Sequence, residues 1–268
     1  MARANVLVVT GFGVNSDDET ARAATLAGAD RVEQIHFADI VAGECNLDNY
    51  DFLVFPGGFL DGDRLGAAQA AAMRWRFMRD QNGQLLLDKL AAFVGRGALI
   101  LGICNGFQLL VKIGLLPAFK GSMFERQISL GHNDSGKYED RWVRLRVNPD
   151  SPCIFTKGLT SLYLPVRHGE GKLVCSAQCL DMIRMENLIA LQYINPLDSD
   201  PTEAYPYNPN GSPDGIAGIT NPDGHILGLM PHPEAFHHAT NHPGWTRGEM
   251  DPPGTLLFVN AIKYLHSL

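Results

Sequence analysis

Basic charge is scarce in this chain. Its 22 lysines and arginines stand against 29 aspartates and glutamates, a formal net charge of -7. Nucleic-acid binders carry basic patches or stripes, and no long basic run occurs here, so nucleic acid is not an expected partner. Long apolar runs are missing as well. The first, Val6-Leu7-Val8-Val9, is a handful of residues. That is too short for the apolar region of a secretion signal or for a membrane span. It reads instead as a first buried strand of a cytosolic protein with no membrane partner. Cysteine is sparse and odd in number, five in 268 residues. Without a secretion signal, a disulfide framework is not expected. Internal repeats, low-complexity tracts and a clear linker are also absent. What remains is 45% apolar and only 19% charged, enough to pack a core. The length suits one α/β domain spanning residues 1–268.

In the first half, short apolar runs alternate with helical segments. Val6–Thr10, Val32–Phe37, Phe52–Phe55 and Ala98–Leu101 read as strands. Asp17–Gly28, Asp63–Met78, Gln84–Gly95 and Asn105–Ile113 read as helices. Such alternation implies a mostly parallel sheet with crossovers. The second half changes character. Trp142–Val147 alternates like an edge or antiparallel strand, followed by Leu162–Val166 and Gly171–Val174. Ser176–Met185 reads as a helix, Leu188–Tyr193 and His225–Met230 as strands, and Leu256–Leu265 as a closing helix. Residues 195–215 have loop composition, and Asn221-Pro222-Asp223-Gly224 reads as a turn.

The strongest local signal is the run Leu99-Ile100-Leu101-Gly102-Ile103-Cys104-Asn105-Gly106. A buried strand enters Gly-x-Cys-x-Gly and leaves as an apolar helix, the cysteine counterpart of the serine nucleophile elbow. Glycines are needed because strand and helix approach closely at the turn. The sulfur stands at a helix N-terminus, where the dipole favours a thiolate. A lone cysteine on such a turn would be an ordinary buried one; the glycine spacing marks Cys104 as a nucleophile. Its base is sought in Met230-Pro231-His232-Pro233-Glu234. Across the proline, His232 can face the sulfur while Glu234 holds the other ring nitrogen. Oxyanion donors are sought in Pro56-Gly57-Gly58, where the Gly58 N–H, with that of Asn105, can turn into a pocket. His237, His238 and His242 crowd one region but match no zinc spacing, so no metal is expected. Cys175 and Cys179, four apart, read as core packing, and Cys45 and Cys153 as structural.

These motifs, in this order, resemble class I glutamine amidotransferases. Within them the chain is most similar to the glutaminase part of phosphoribosylformylglycinamidine synthase. Further stretches carry that similarity: Gly62-Asp63, Phe107-Gln108, His168-Gly169-Glu170-Gly171, and Asn208 to Gly218. The resemblance implies a flavodoxin-like fold with an added smaller antiparallel portion. It implies glutamine as substrate, a thioester on Cys104, proton transfer by His232, orientation by Glu234, and seating of glutamine by Gln108 and the Gly57-Gly58 turn. It also implies a separate synthetase subunit as partner, with a small bridging subunit. ATP and Mg²⁺ are expected there, since no ATP-binding motif occurs here. The alternatives are service to another acceptor, or a regulatory subunit that keeps only the fold. The chain departs from the family pattern at Gly13-Val14-Asn15-Ser16-Asp17, at Ala235-Phe236 where an arginine is usual, and in an enlarged segment at 69–84 carrying Arg74, Arg76 and Arg79. Those arginines read as a solvated face or a docking surface. Loops 61–66, 119–137 and 205–215 are expected to face a partner, and the resemblance places them near the site.

Overall fold

The computed structural model describes residues 3–268. In chain order the strands are β1 (Asn5–Thr10), β2 (Arg31–His36), β3 (Phe52–Phe55), β4 (Leu99–Ile103), β5 (Ser129–His132), β6 (Glu139–Val147), β7 (Ser161–His168), β8 (Glu170–Val174), β9 (Ile189–Tyr193), β10 (Ile216–Thr220) and β11 (Ile226–Leu229). The helices are α1 (Asp17–Leu26), α2 (Phe37–Val41), α3 (Gln69–Phe77), α4 (Leu86–Gly95), α5 (Asn105–Ile113), α6 (Ala177–Met185) and α7 (Leu256–His266).

One 9-stranded sheet organises the chain in the order β2-β1-β3-β4-β11-β10-β9-β6-β7. From β2 to β11 neighbours run parallel; from β11 to β7 they run antiparallel. A parallel doubly-wound half thus continues into an antiparallel half. β5 and β8 form a separate antiparallel pair. The central strands β3, β4 and β11 are buried along their whole length. That is why they read as unbroken apolar runs, the mark of a sheet covered on both faces.

Several boundaries differ from the sequence reading. α3 starts at Gln69, not Asp63. Asp61, Gly62, Gly66 and Ala68 all have positive φ, a backbone that breaks a right-handed helix. β6 is antiparallel as expected but is not an edge strand, since β9 and β7 flank it. Its alternation arises because Asp140, Arg144 and Arg146 face water while Val143, Leu145 and Val147 face the core. α2, β5 and β10 had no clear periodic signal, each being five residues or fewer. Residues 195–215 lack strands, yet Asn208, Asn210 and Ser212 within them are buried. The Asn210 amide donates to the Gly171 carbonyl at 2.9 Å, and Asn208 to the Ser212 carbonyl at 2.9 Å. This polar knot substitutes for regular structure by satisfying buried backbone groups.

The arginines of α3 point inward. Arg74 pairs with Asp61 at 2.6 Å and lies 4.3 Å over the Phe37 ring. Arg76 donates to the carbonyls of Ile113 and Phe124 at 2.5 and 2.9 Å. Arg79 donates to the Gly83 carbonyl at 2.8 Å. Arg74 and Arg76 thus staple α3 to its neighbours instead of forming a solvated face, whereas Arg79, beyond the end of α3, is exposed. No helix among the described residues is long and apolar enough to cross a membrane.

Candidate active site

The elbow forms at the end of β4. Cys104 has φ 52° and ψ -103°, a region that L-residues rarely occupy and that functional sites retain. Its neighbours explain why the strain is tolerated. A Cβ on Gly106 would lie 1.9 Å from the Phe55 carbonyl oxygen, and one on Gly102 would lie 2.6 Å from Leu110 Cδ1. Only glycine lets α5 fold back so tightly onto β3 and β4. On the other side, a Cβ at Gly228 would strike the Phe107 ring at 2.1 Å. Apart from Lys112, every residue of α5 is buried, so the helix that follows Cys104 is held in place along its length.

β11 delivers the candidate base, His232. It pairs with β4 in parallel register, Leu229 beside Ile103, and the Cys104 N–H donates to the Leu229 carbonyl at 2.8 Å. His232 follows three residues after Leu229, and its N–H donates to the Pro165 carbonyl of β7 at 2.8 Å. His232 and Glu234 are both buried, and His232 Nδ1 lies 2.6 Å from Glu234 Oε1. With Nδ1–H held by the carboxylate, Nε2 is the nitrogen offered to the nucleophile, and it has no other partner among the described residues. Burial is the largest influence on this ring and disfavours its charge. The Glu234 carboxylate and the Cys104 sulfur together outweigh it, and the His232 pKa is raised.

Cys104 Sγ also lies 3.6 Å from the Arg167 carbonyl oxygen. The ninth strand of the sheet thus curls back over the ends of the central ones. Beside it, His168 is buried, and its Nδ1 meets Asn133 Oδ1 at 3.0 Å. Both N–H bonds of the Asn133 amide are committed, to the Lys137 and His168 carbonyls at 2.9 and 2.8 Å. Oδ1 must therefore accept, which fixes the proton on His168 Nδ1. Burial first, and the nearby His232 second, push the His168 pKa down to about 3. This ring is neutral, in contrast to His232.

The turn after β3 carries the candidate oxyanion donor Gly58. Gly58 has φ 138°, and a Cβ there would meet the Gly13 carbonyl at 2.5 Å. The divergent segment 13–16 holds this turn. Phe59 N–H donates to the Gly13 carbonyl at 2.7 Å, and Ser16 Oγ donates to the Gly57 carbonyl at 3.2 Å. Among the described residues neither the Gly58 nor the Asn105 N–H has a partner. Gly57 touches the base, since a Cβ there would lie 2.7 Å from His232 Cε1. Sequence reasoning missed a side-chain relay at this point. Asn105 Oδ1 accepts from Leu60 N–H at 3.0 Å, and Asn105 Nδ2 donates to Gln108 Oε1 at 3.0 Å. Gln108 Nε2 donates to the Glu170 carbonyl at 2.7 Å. Gln108 thus braces the wall of the site, with both ends of its amide already bound to protein.

A cavity of about 420 Å³ opens over Cys104, lined also by Gly58, Gln108, His168, His232 and Glu234. Asp63, Lys137, Arg167 and Glu170 line it too, charges of both signs that suit a zwitterionic amino acid. Loops 61–66 and 119–137 reach this cavity through Asp63, His132, Gly136 and Lys137, whereas no residue of 205–215 lines it. The histidine-rich loop stands apart. His242 is buried against Trp142, Tyr163 and Phe236 and bonds Asp251 at 2.9 Å. All five cysteines are free thiols. Among the described residues no group of three or more His, Cys, Asp or Glu is arranged to hold a metal ion.

A cysteine elbow, a His–Glu pair delivered by the adjacent strand and a glycine-turn donor site on a mostly parallel sheet define the amidotransferase class. The model of the CobB/CobQ-like glutamine amidotransferase domain matches residues 3–265. A phosphoribosylformylglycinamidine synthase subunit PurQ from Dehalococcoides mccartyi is 40% identical over 267 residues, 98% of each chain. The phosphoribosylformylglycinamidine synthase of Drosophila melanogaster is 37% identical over 87% of this chain, which corresponds to 17% of that longer protein. A chain in the structure of PurLQS from Thermotoga maritima superposes with a TM-score of 0.70 at 28% identity, covering 98% of this chain and 99% of that one. This chain belongs to the glutamine amidotransferase family and, within it, to the PurQ subunits of phosphoribosylformylglycinamidine synthase.

Proposed function

We propose that this chain hydrolyses glutamine at Cys104 and hands the ammonia to a separate synthetase subunit in the cytoplasm. That synthetase uses ATP and Mg²⁺ to convert formylglycinamide ribonucleotide to formylglycinamidine ribonucleotide in purine biosynthesis, with a small bridging subunit completing the assembly. The 2.6 Å His232–Glu234 bond behind a strained Cys104 carries the reading. It is the base-and-orienter pair that a cysteine nucleophile requires.

The thiol proton passes to His232 Nε2, and Sγ bonds to the side-chain carbonyl carbon of glutamine. The oxygen takes up negative charge against the Gly58 and Asn105 N–H groups, which are free for it. A single donor of this kind is worth on the order of 100-fold in rate. Collapse breaks the C–N bond, His232 returns its proton to the nitrogen, and ammonia leaves. Water then releases glutamate from the thioester. Gln108 contributes by holding the wall at Glu170, and Gly57 by admitting the His232 ring.

Glutamate release by the chain assembled with its synthetase tests this reading. Cys104→Ala is expected to abolish release, and an electrophilic glutamine analogue to label Cys104 in the wild type. Undiminished release by Cys104→Ala would sink the mechanism. A synthetase for another acceptor that alone restored ammonia transfer would replace the purine assignment.

A further inference from the structure

The site has two sides, set by strand order. Cys104 ends β4, with β3 on one flank and β11 on the other. The oxyanion donor Gly58 follows β3, and His232 follows β11. A planar carboxamide bound with its oxygen toward Gly58 must direct its nitrogen toward the β11 flank. There β7 presents the Arg167 carbonyl oxygen, 3.6 Å from Cys104 Sγ. A carbonyl has no proton to give, so this position accepts a hydrogen-bond donor and no acceptor, and a carboxamide nitrogen supplies one.

The two residues that follow Arg167 are held by a clamp, which fixes the strand end that presents its carbonyl. Asn133 is buried, donates from its amide to the His168 carbonyl at 2.8 Å, and donates from its backbone N–H to the Gly169 carbonyl at 3.0 Å. His168 Nδ1–H in turn meets Asn133 Oδ1 at 3.0 Å. One residue thus fixes the corner between β7 and β8 at two consecutive carbonyls and one ring. Nothing in the chemistry of thioester formation requires Asn133, and it does not touch the cavity.

We infer that the Arg167 carbonyl receives the N–H of the substrate's carboxamide, and that Asn133 is the positioning residue that makes this site select carboxamide over carboxylate or ester. The inference rests on Cys104 being the nucleophile toward glutamine. At rest the Cys104 S–H can occupy the carbonyl. When that proton moves to His232, the carbonyl is freed for the substrate. Sγ–C forms as the carbonyl electron pair moves to oxygen. When the pair returns, C–N breaks, the nitrogen takes the His232 proton, and ammonia departs with an N–H on Arg167 O. The product carboxylate has no N–H and sets its lone pairs against the same oxygen. A site built around such a bond rejects the analogue that lacks the donor.

The test compares hydrolysis of glutamine with hydrolysis of glutamate γ-methyl ester by the chain assembled with its synthetase. Both substrates undergo the same attack, but the ester has no N–H. Asn133→Ala is expected to lower the glutamine-to-ester ratio of kcat/KM about 10-fold, the worth of one hydrogen bond. An unchanged ratio, with both activities falling together or neither falling, overturns the inference and leaves Asn133 merely structural. If Asn133→Ala does not fold, His168→Ala removes one bond of the clamp and keeps the others. It is expected to lower the ratio in the same direction, and an unchanged ratio there is equally decisive. Cys104→Ala separates the two levels of the argument, because its retention of either hydrolysis would defeat the nucleophile reading itself.

Discussion

The two buried histidines of the site are held in opposite states by their partners. His232 faces a carboxylate and a sulfur and is held toward the imidazolium; His168 faces an amide oxygen and is held neutral. Glu234→Gln keeps the shape of the first pair and removes its charge. We expect kcat for glutamate release to fall on the order of 100-fold, with KM little changed, because general acid–base steps contribute factors of this size. The raised His232 pKa depends on that carboxylate, so the alkaline limit of activity should also move to lower pH in Glu234→Gln, as a pH–rate profile would show. The meeting of Cys104 with the His232–Glu234 pair in one cavity was legible in the sequence because elbow chemistry and triad logic ask for fixed residue types at short spacing. Asn133 was not. Its role depends on long-range bonds to His168 and Gly169, which no local pattern encodes.

Among the elements, the elbow between β4 and α5 leaves no room at Gly106. Gly106→Ala would force the Phe55 carbonyl aside and drag the Gly57-Gly58 turn with it. A loss of about 3 kcal/mol in unfolding free energy is expected from overpacking of this kind, measured by urea denaturation. Residual folded protein should also show weakened catalysis, since the proposed oxyanion donor Gly58 sits just beyond the displaced carbonyl. The strand–turn–helix pattern made this element readable. The loop before α3 was misread as helix because Ala67, Ala68 and Gln69 continue a helical composition. Tertiary bonding decides otherwise there. The Glu170 carboxylate accepts from Ala67 N–H at 3.3 Å, and Arg74 reaches Asp61, which together shape the loop as the site's rim.

At the scale of the whole molecule, the alternation of strands and helices disclosed the parallel half. The antiparallel half was less legible. β10 carries no alternating pattern, being buried throughout, and the 195–215 segment conceals its packing in asparagine side chains. Whole-molecule stability should carry the mark of His168. Unfolding restores its ordinary pKa of 6.5 from about 3, so below pH 6.5 the unfolded chain binds a proton that the folded chain refuses. Stability should therefore fall as pH drops from 6.5 toward 3, by about 1.4 kcal/mol per pH unit from this group. His168→Asn should flatten that dependence in urea midpoints taken at pH 6.5 and 5; an equal slope in the variant would locate the acid sensitivity elsewhere. The pairing of β4 with β11 has a further consequence in time. Cys104 and His232 follow adjacent strands, yet nearly half the chain separates them in order of synthesis. A nascent chain that has already formed its elbow carries an idle thiol until β11 inserts beside it. Under the proposed mechanism, ammonia production is thereby withheld until the sheet closes, and incomplete chains do not squander glutamine.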